Sequence, residues 1–328
     1  MTGKYLFPAD YMADPSVKVF GDRLYIYPSH DVDVAFTEND NGDCYNMRDY
    51  HVLSTDNVLE GEIVDHGCVL DIDQVEWANR QMWDCDCSEK NGKYYLYFPA
   101  KDYNDVFHIG VAVADKPEGP FIPMPAPMRG SYSIDICVLA DGDKRYIYFG
   151  GIWGGQLQRY RDNLAIDNPH LPKEDEPALG PKVALLADDM LQFAEAPREI
   201  VILDENGEPM KHGDPRRFFE ATWVHKYNGK YYLSWSTGDY HTICYGVGDS
   251  PYGPFTIKGE ILKPMIGWTT HHSIVEYKGK WYLFYHDSQP SGGKSWLRSL
   301  KVAELHYDEN GNIIPVDDGS YDNLKTYY

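Results

Sequence analysis

Positive charge is scarce in this chain. Its 328 residues carry 30 Lys and Arg against 51 Asp and Glu, a formal net charge of −21. A surface of that sign repels phosphate, which excludes nucleic-acid binding as a main role. No stretch approaches the ~20 consecutive apolar residues of a membrane-spanning helix, so no membrane partner is expected. The opening residues, Met1-Thr2-Gly3-Lys4-Tyr5-Leu6-Phe7-Pro8, lack the charged, apolar and small-residue segments of a secretory leader, and the expected location is the cytoplasm. Cysteine is sparse too. Cys44, Cys68, Cys85, Cys87, Cys137 and Cys244 are too few for a disulfide scaffold, and Cys85 and Cys87 are too close together for CxxC redox chemistry. Buried free thiols are expected. Helical periodicity is nearly missing: only residues 192–198 read as a short helical turn. No Pro/Gly/Ser-rich linker divides the sequence, so residues 1–328 are expected to form a single domain.

Aromatic residues and turn formers are abundant. Twenty-seven Tyr, eight Trp and twelve Phe make 14% of the chain, beside 29 Gly and 21 Pro. This composition favours strands joined by tight turns. An internal repeat organises them. Residues 14–27, 84–97, 135–148, 220–233 and 271–285 each read as strand, tight turn, strand, with Gly-Asp, Asn-Gly, Asp-Gly or Lys-Gly at the turn. Alternating aromatic and aliphatic residues follow each turn. Further strand candidates lie between the repeats, at 108–114 and 243–248, each followed by a Pro-x-Gly-Pro-Phe segment. Five hairpin-bearing units of ~40–50 residues, two of them lengthened by loop insertions, predict an all-β, five-bladed β-propeller.

The repeats share a register. Counting back eleven residues from the Tyr at the third place after each turn (Tyr25, Tyr95, Tyr146 and Tyr282) gives Asp14, Asp84, Asp135 and His271; from Tyr232, Glu220 is twelve back. In a propeller the first strand of every blade lines the central channel, so these five ionisable residues are expected to converge at one mouth of it. A lone Asp or Glu at a strand start is ordinarily a solvated turn residue; five ionisable groups at one register make a site. Convergent carboxylates repel, which separates their pKa values into a proton holder and an ionised group. Phe218, Phe219 and Trp223 around Glu220 suit a general acid, and the polar Asp14-Pro15-Ser16 context suits a carboxylate base.

In these segments the chain resembles glycoside hydrolase family 43 over essentially its whole length. Ala13-Asp14-Pro15-Ser16-Val17 is similar to the family's general-base segment. Ile134-Asp135 is similar to the segment whose Asp tunes and orients the acid, and Phe219-Glu220-Ala221 to the general-acid segment. The stretch beginning at His271 resembles the one whose first His reaches a central metal, usually calcium. Arg298-Ser299-Leu300 resembles the late segment that points a guanidinium into the sugar pocket. The resemblance departs at Trp83-Asp84-Cys85-Asp86, where many relatives read Trp-Ala-Pro-Asp: Asp86 matches the family's Asp, and Asp84 is an added carboxylate.

The resemblance implies an inverting glycosidase in which Asp14 is the base, Glu220 the acid and Asp135 the residue holding the acid. Trp83 is a candidate sugar-stacking wall, with Trp153 a second. One His cannot build a zinc site, but a Ca²⁺ ion completing its shell with water is physically sound at His271; His272 reads as structural. The expected substrate is a short oligosaccharide and the expected activity β-xylosidase, with α-L-arabinofuranosidase as the alternative. A retaining enzyme on the same scaffold and a non-catalytic carbohydrate-binding propeller are the remaining readings. Oligomeric state leaves no trace in the sequence.

Overall fold

Each of the five repeats closes as a hairpin with a two-residue turn. Phe20 pairs with Arg23, Lys90 with Lys93, Asp141 with Lys144, Tyr227 with Lys230 and Tyr277 with Lys280. At Asn91-Gly92, Asn228-Gly229 and Lys278-Gly279 both turn residues have positive φ, the mirror-image geometry that matches strand twist. The computed structural model describes residues 3–34, 38–238 and 240–319. In it the hairpins grow into five antiparallel-rich sheets.

The innermost strands meet in cyclic order. Met12–Phe20 touches Asp86–Lys90, which touches Cys137–Asp141; Phe218–Tyr227 and His272–Tyr277 follow, and the last returns to Met12–Phe20. The result is a five-bladed β-propeller. Its fifth blade takes Lys4–Tyr5 as an edge strand against Ser299–Tyr307, so chain segments from the two ends close the ring.

The tyrosine load has a structural use. At equivalent positions of the first three blades, buried Tyr27, Tyr97 and Tyr148 donate their hydroxyls to Pro117 O, Met190 O and Pro251 O, at 2.8, 2.9 and 2.8 Å. Each acceptor lies in the next blade's outer segments, so one side chain fills a blade core and ties it to its neighbour.

Below the mouth of the channel, buried Asp86 forms an ion pair with Lys18 at 2.7 Å and accepts hydrogen bonds from Val138 N, Cys87 N and the Ser16 hydroxyl. Three blades are thereby pinned at the axis. Asp86→Ala strands Lys18 and three donors, and its expected cost is about 3 kcal/mol or more in urea unfolding. An unchanged unfolding midpoint would contradict this role.

Two expectations are corrected. Residues 192–198 form no helix, because Phe193 and Ala194 pair with the edge of the third blade at Leu186 and Leu185. The helical elements among the described residues are the 3₁₀ turns Ile72–Gln74, Trp153–Gly155 and Leu157–Arg159. The first is fixed by a capping box between Asp71 and Gln74. Five of the six thiols are buried and free as expected, whereas Cys68 is exposed.

Candidate active site

All five residues of the repeat register, Asp14, Asp84, Asp135, Glu220 and His271, line one cavity at the mouth of the channel. Arg298, Trp83 and Trp153 line it too. The extra residue of the fourth repeat is absorbed locally. The hairpin carrying Asp14 has one register shift, between Ala13 and Ser16, and the hairpin carrying Glu220 has two, on either side of it. Asp14 and Ala221, at these bulges, and Asp135 have φ of 47°, 62° and 61°, a backbone region that non-glycine residues rarely occupy.

Each strained strand start is held by hydrogen bonds. Asp14 N donates to His286 Nδ1 at 3.0 Å, and His286 Nε2 lies 3.1 Å from Thr269 O. Nδ1 is therefore the acceptor and Nε2 carries the proton; burial, the largest influence, pushes the His286 pKa down to about 3, keeping it neutral. Asp84 accepts from Asp135 N at 2.9 Å and from Ile136 N at 2.6 Å. The Asp135 carboxylate in turn accepts from Ala221 N, the peptide next to Glu220. Three adjacent inner strands are thus linked in series, Asp84 to Asp135 to the backbone of Glu220.

Asp14 and Glu220 sit in opposed surroundings. Burial, the largest single influence, works against the Asp14 charge, but Arg298, with Nη1 2.8 Å from Oδ1, acting together with His286, His271 and a hydrogen bond from Ser29 outweighs it and holds the pKa below the ordinary aspartate value. Arg298 is itself locked in place, because Asp31 grips its Nε and Nη2 at 2.9 and 2.7 Å and accepts its backbone N–H at 2.8 Å. Among the described residues Glu220 has no such ion-pair partner. Burial first, then the negative charge of Asp14, push its pKa up to about 8, with Arg298 opposing. Asp135 and Asp84 are raised as well, chiefly by burial and next by a neighbouring carboxylate, Glu220 for the former and Asp135 for the latter. One carboxylate is kept ionised and another protonated at neutral pH, which is the requirement for paired acid and base chemistry.

The apolar side of the cavity is aromatic. Trp83 is fixed by a 2.7 Å hydrogen bond from its indole N–H to Tyr45 O, and its ring packs on Phe107. Gly42, at φ +68°, lies against the far edge of the indole, where a Cβ would approach to 2.5 Å. Trp153 and Trp268 are about half exposed at the rim.

Residues 9–313 match the family described as Glycosyl hydrolases family 43. The chain belongs to that family. A xylosidase/arabinosidase of Bacteroides ovatus is 63% identical over 316 residues, covering 96% of this chain and 97% of that one. The solved structure of RS223-Beta-xylosidase superposes with a TM-score of 0.94 at 62% identity, covering 96% of this chain and 98% of that one. A family 43 β-xylosidase/α-arabinofuranosidase from a compost microbial metagenome, solved with xylotriose in a calcium-free form, superposes at 0.93 with 56% identity, covering 96% and 97%.

As a family 43 glycoside hydrolase the chain has one further feature to explain. His271 is buried, yet neither ring nitrogen has a hydrogen-bond partner among the described residues. Its Nε2 lies 3.8 Å from Asp84 Oδ2 and 4.0 Å from Asp135 Oδ1, and one ligand atom of each residue falls within 4.8 Å of the others. An orphaned imidazole facing two carboxylates fits a cation.

Sequence reasoning left Asp84 without a direction; the structure turns it into the cavity, while Asp86 lies outside the lining, with Lys18. It missed Asp31, His286, Tyr45 and Trp268. Asp31 directly follows the second strand of the first hairpin and His286 is the penultimate residue of the second strand of the fifth, positions that a count from the turn reaches only if both strands are counted.

Proposed function

We propose that the protein is an inverting, exo-acting β-xylosidase that releases xylose from the non-reducing end of β-1,4-xylo-oligosaccharides. The observation that carries the chemistry is the opposition between Asp14, held ionised by Arg298, and Glu220, held protonated by burial. Asp14 takes a proton from water as its oxygen attacks the anomeric carbon. Glu220 gives its proton to the departing glycosidic oxygen, the C–O bond breaks on the opposite face, and the sugar leaves with inverted configuration. Asp135 positions Glu220 through the Ala221 peptide. Trp83 offers an indole face to the sugar's C–H groups. The substrate reading is supported by the relatives, named as a xylosidase/arabinosidase and a β-xylosidase, and by the one solved with xylotriose.

The double name of the first relative also favours a second reading, α-L-arabinofuranoside cleavage in the same pocket. The test is kcat/KM on an aryl β-D-xyloside and an aryl α-L-arabinofuranoside. The xyloside is expected to be the better substrate. Turnover of the arabinofuranoside alone would overturn the primary assignment.

His271 is the residue we assign to a divalent ion, Ca²⁺ by the hard-cation logic of a site completed mainly by water. Both Asp84 oxygens already accept backbone N–H groups, whereas both His271 nitrogens are without a hydrogen-bond partner among the described residues. Such an ion supplies fixed positive charge among crowded carboxylates and holds waters in place. Chelation is expected to lower activity with the fold intact, Ca²⁺ or another divalent ion to restore it, and His271→Ala to abolish the response. Full activity in exhaustively metal-free enzyme would return His271 to a structural role.

A further inference from the structure

A second group of imidazoles and carboxylates stands apart from the cavity, on the first blade. His30 ends the strand Arg23–His30, Asp49 and His51 lie on the neighbouring Asp49–Thr55, and Asp65 lies on Val64–Asp71. Asp10 precedes the innermost strand. None of these five lines the catalytic cavity.

The two imidazoles converge on one carboxylate. His30 Nδ1 lies 2.9 Å from Asp49 Oδ1 and His51 Nε2 lies 3.4 Å from Asp49 Oδ2. One ligand atom from each of His30, Asp49 and His51 falls within 4.8 Å of the others, and the rings are 4.6 Å apart. The outer nitrogens are occupied as well: His30 Nε2 meets Asp10 Oδ2 at 3.2 Å and His51 Nδ1 meets Asp65 Oδ1 at 3.0 Å. These outer carboxylates are themselves anchored, Asp10 by Tyr11 N and Asp65 by Gly67 N, each at 2.8 Å. An imidazole kept for packing needs one polar partner. Here both nitrogens of each ring face a carboxylate, so each inner contact with Asp49 must hold either a proton on the nitrogen or a metal ion in its place. Positive charge is required between them.

A third donor type adjoins the group. Cys68 pairs across the sheet with His51, is the one exposed thiol among the six, and interacts electrostatically with Asp49.

We propose that His30, Asp49 and His51 form a second cation site, which takes a late first-row divalent ion of the Zn²⁺ type and leaves one coordination position to solvent. Two imidazole nitrogens and a carboxylate oxygen are a donor set for such ions rather than for Ca²⁺. Asp10 and Asp65 orient the ligating rings from behind, the carboxylate–histidine–metal arrangement that fixes tautomer and raises ligand basicity. The site ties three strands of the first blade to the segment entering it. His30 is followed by Asp31, which grips Arg298, so the ion braces the support of the catalytic base without touching substrate.

The experiment uses His271→Ala protein, in which the cavity ion cannot contribute. Metal-stripped protein is titrated with Zn²⁺ by calorimetry at neutral pH, the bound metal is counted after desalting, and the melting temperature is measured with and without Zn²⁺. The expected result is one Zn²⁺ per chain and a raised melting temperature. His51→Gln and Asp49→Asn, checked for folding by circular dichroism, should weaken binding by tenfold or more. Asp10→Asn and Asp65→Asn, on more exposed residues, should weaken it by about 10–100-fold and keep the test open if the inner variants misfold. Cys68→Ser should retain stoichiometric binding. Absence of stoichiometric Zn²⁺ would mean that two protons fill the inner positions and overturn the site. So would binding unaffected by His51→Gln, or binding lost with Cys68→Ser, which would mark a surface thiol instead.

Discussion

Asp14→Asn is expected to lower kcat by about 10²–10⁴-fold or more, the range of a general-base contribution, while the protein stays folded. The amide keeps the shape of the carboxylate but cannot take a proton from water. Arg298 loses one partner and keeps the bidentate grip of Asp31, so the pocket floor should hold its geometry. A small change in melting temperature beside a large loss of turnover is the signature that separates a base from a scaffold residue. Near-normal turnover by the folded variant would remove Asp14 from the chemistry.

Glu220→Gln should divide substrates by their leaving groups. Xylo-oligosaccharides leave as alkoxides and need protonation, so their hydrolysis should fall by a general acid's full contribution of about 10²–10⁴-fold. Aryl xylosides with acidic phenols need little protonation and should lose far less. Equal losses would point to a binding role. The pH profile of the unaltered enzyme carries the same information. Glu220 acts while protonated, so kcat/KM should fall as pH rises through its pKa of about 8, or somewhat lower with a cation at His271. Asp14 acts while ionised, and its lowered pKa places the acid limb below the ordinary aspartate range. Asp135→Asn alters the carboxyl that accepts from Ala221 N and is electrostatically coupled to Glu220, and should shift the alkaline limb.

The propeller and its polar ring were legible in the sequence because both follow from local rules. A two-residue turn fixes hairpin register, and a strand period of two fixes which face each residue takes, so an offset counted from the turn maps onto one height in the channel. Asp14, Asp84, Asp135 and His271 were reached in this way, and Glu220 at one residue's remove. That displacement marked a second bulge, which has no sequence signature of its own here. Trp83 was legible as a type of residue without a direction, because a blade-core indole and a pocket wall look alike until loop 38–45 packs against it. Asp31 was illegible. It belongs to no repeat, and its role exists only through Arg298, 267 residues away. Residues 192–198 show the opposite failure, a helical pattern overruled by pairing with a strand edge.

Inversion requires water to attack one face of the sugar under Asp14 while Glu220 protonates the other. Proton NMR of xylotriose hydrolysis, recorded before mutarotation, reads that geometry directly. The expected first products are α-D-xylose and xylobiose, in equal amounts, the α-anomer reporting inversion of a β-linkage at the chain end. β-D-Xylose as the first-formed sugar, or folded enzyme that leaves xylotriose intact, would contradict it.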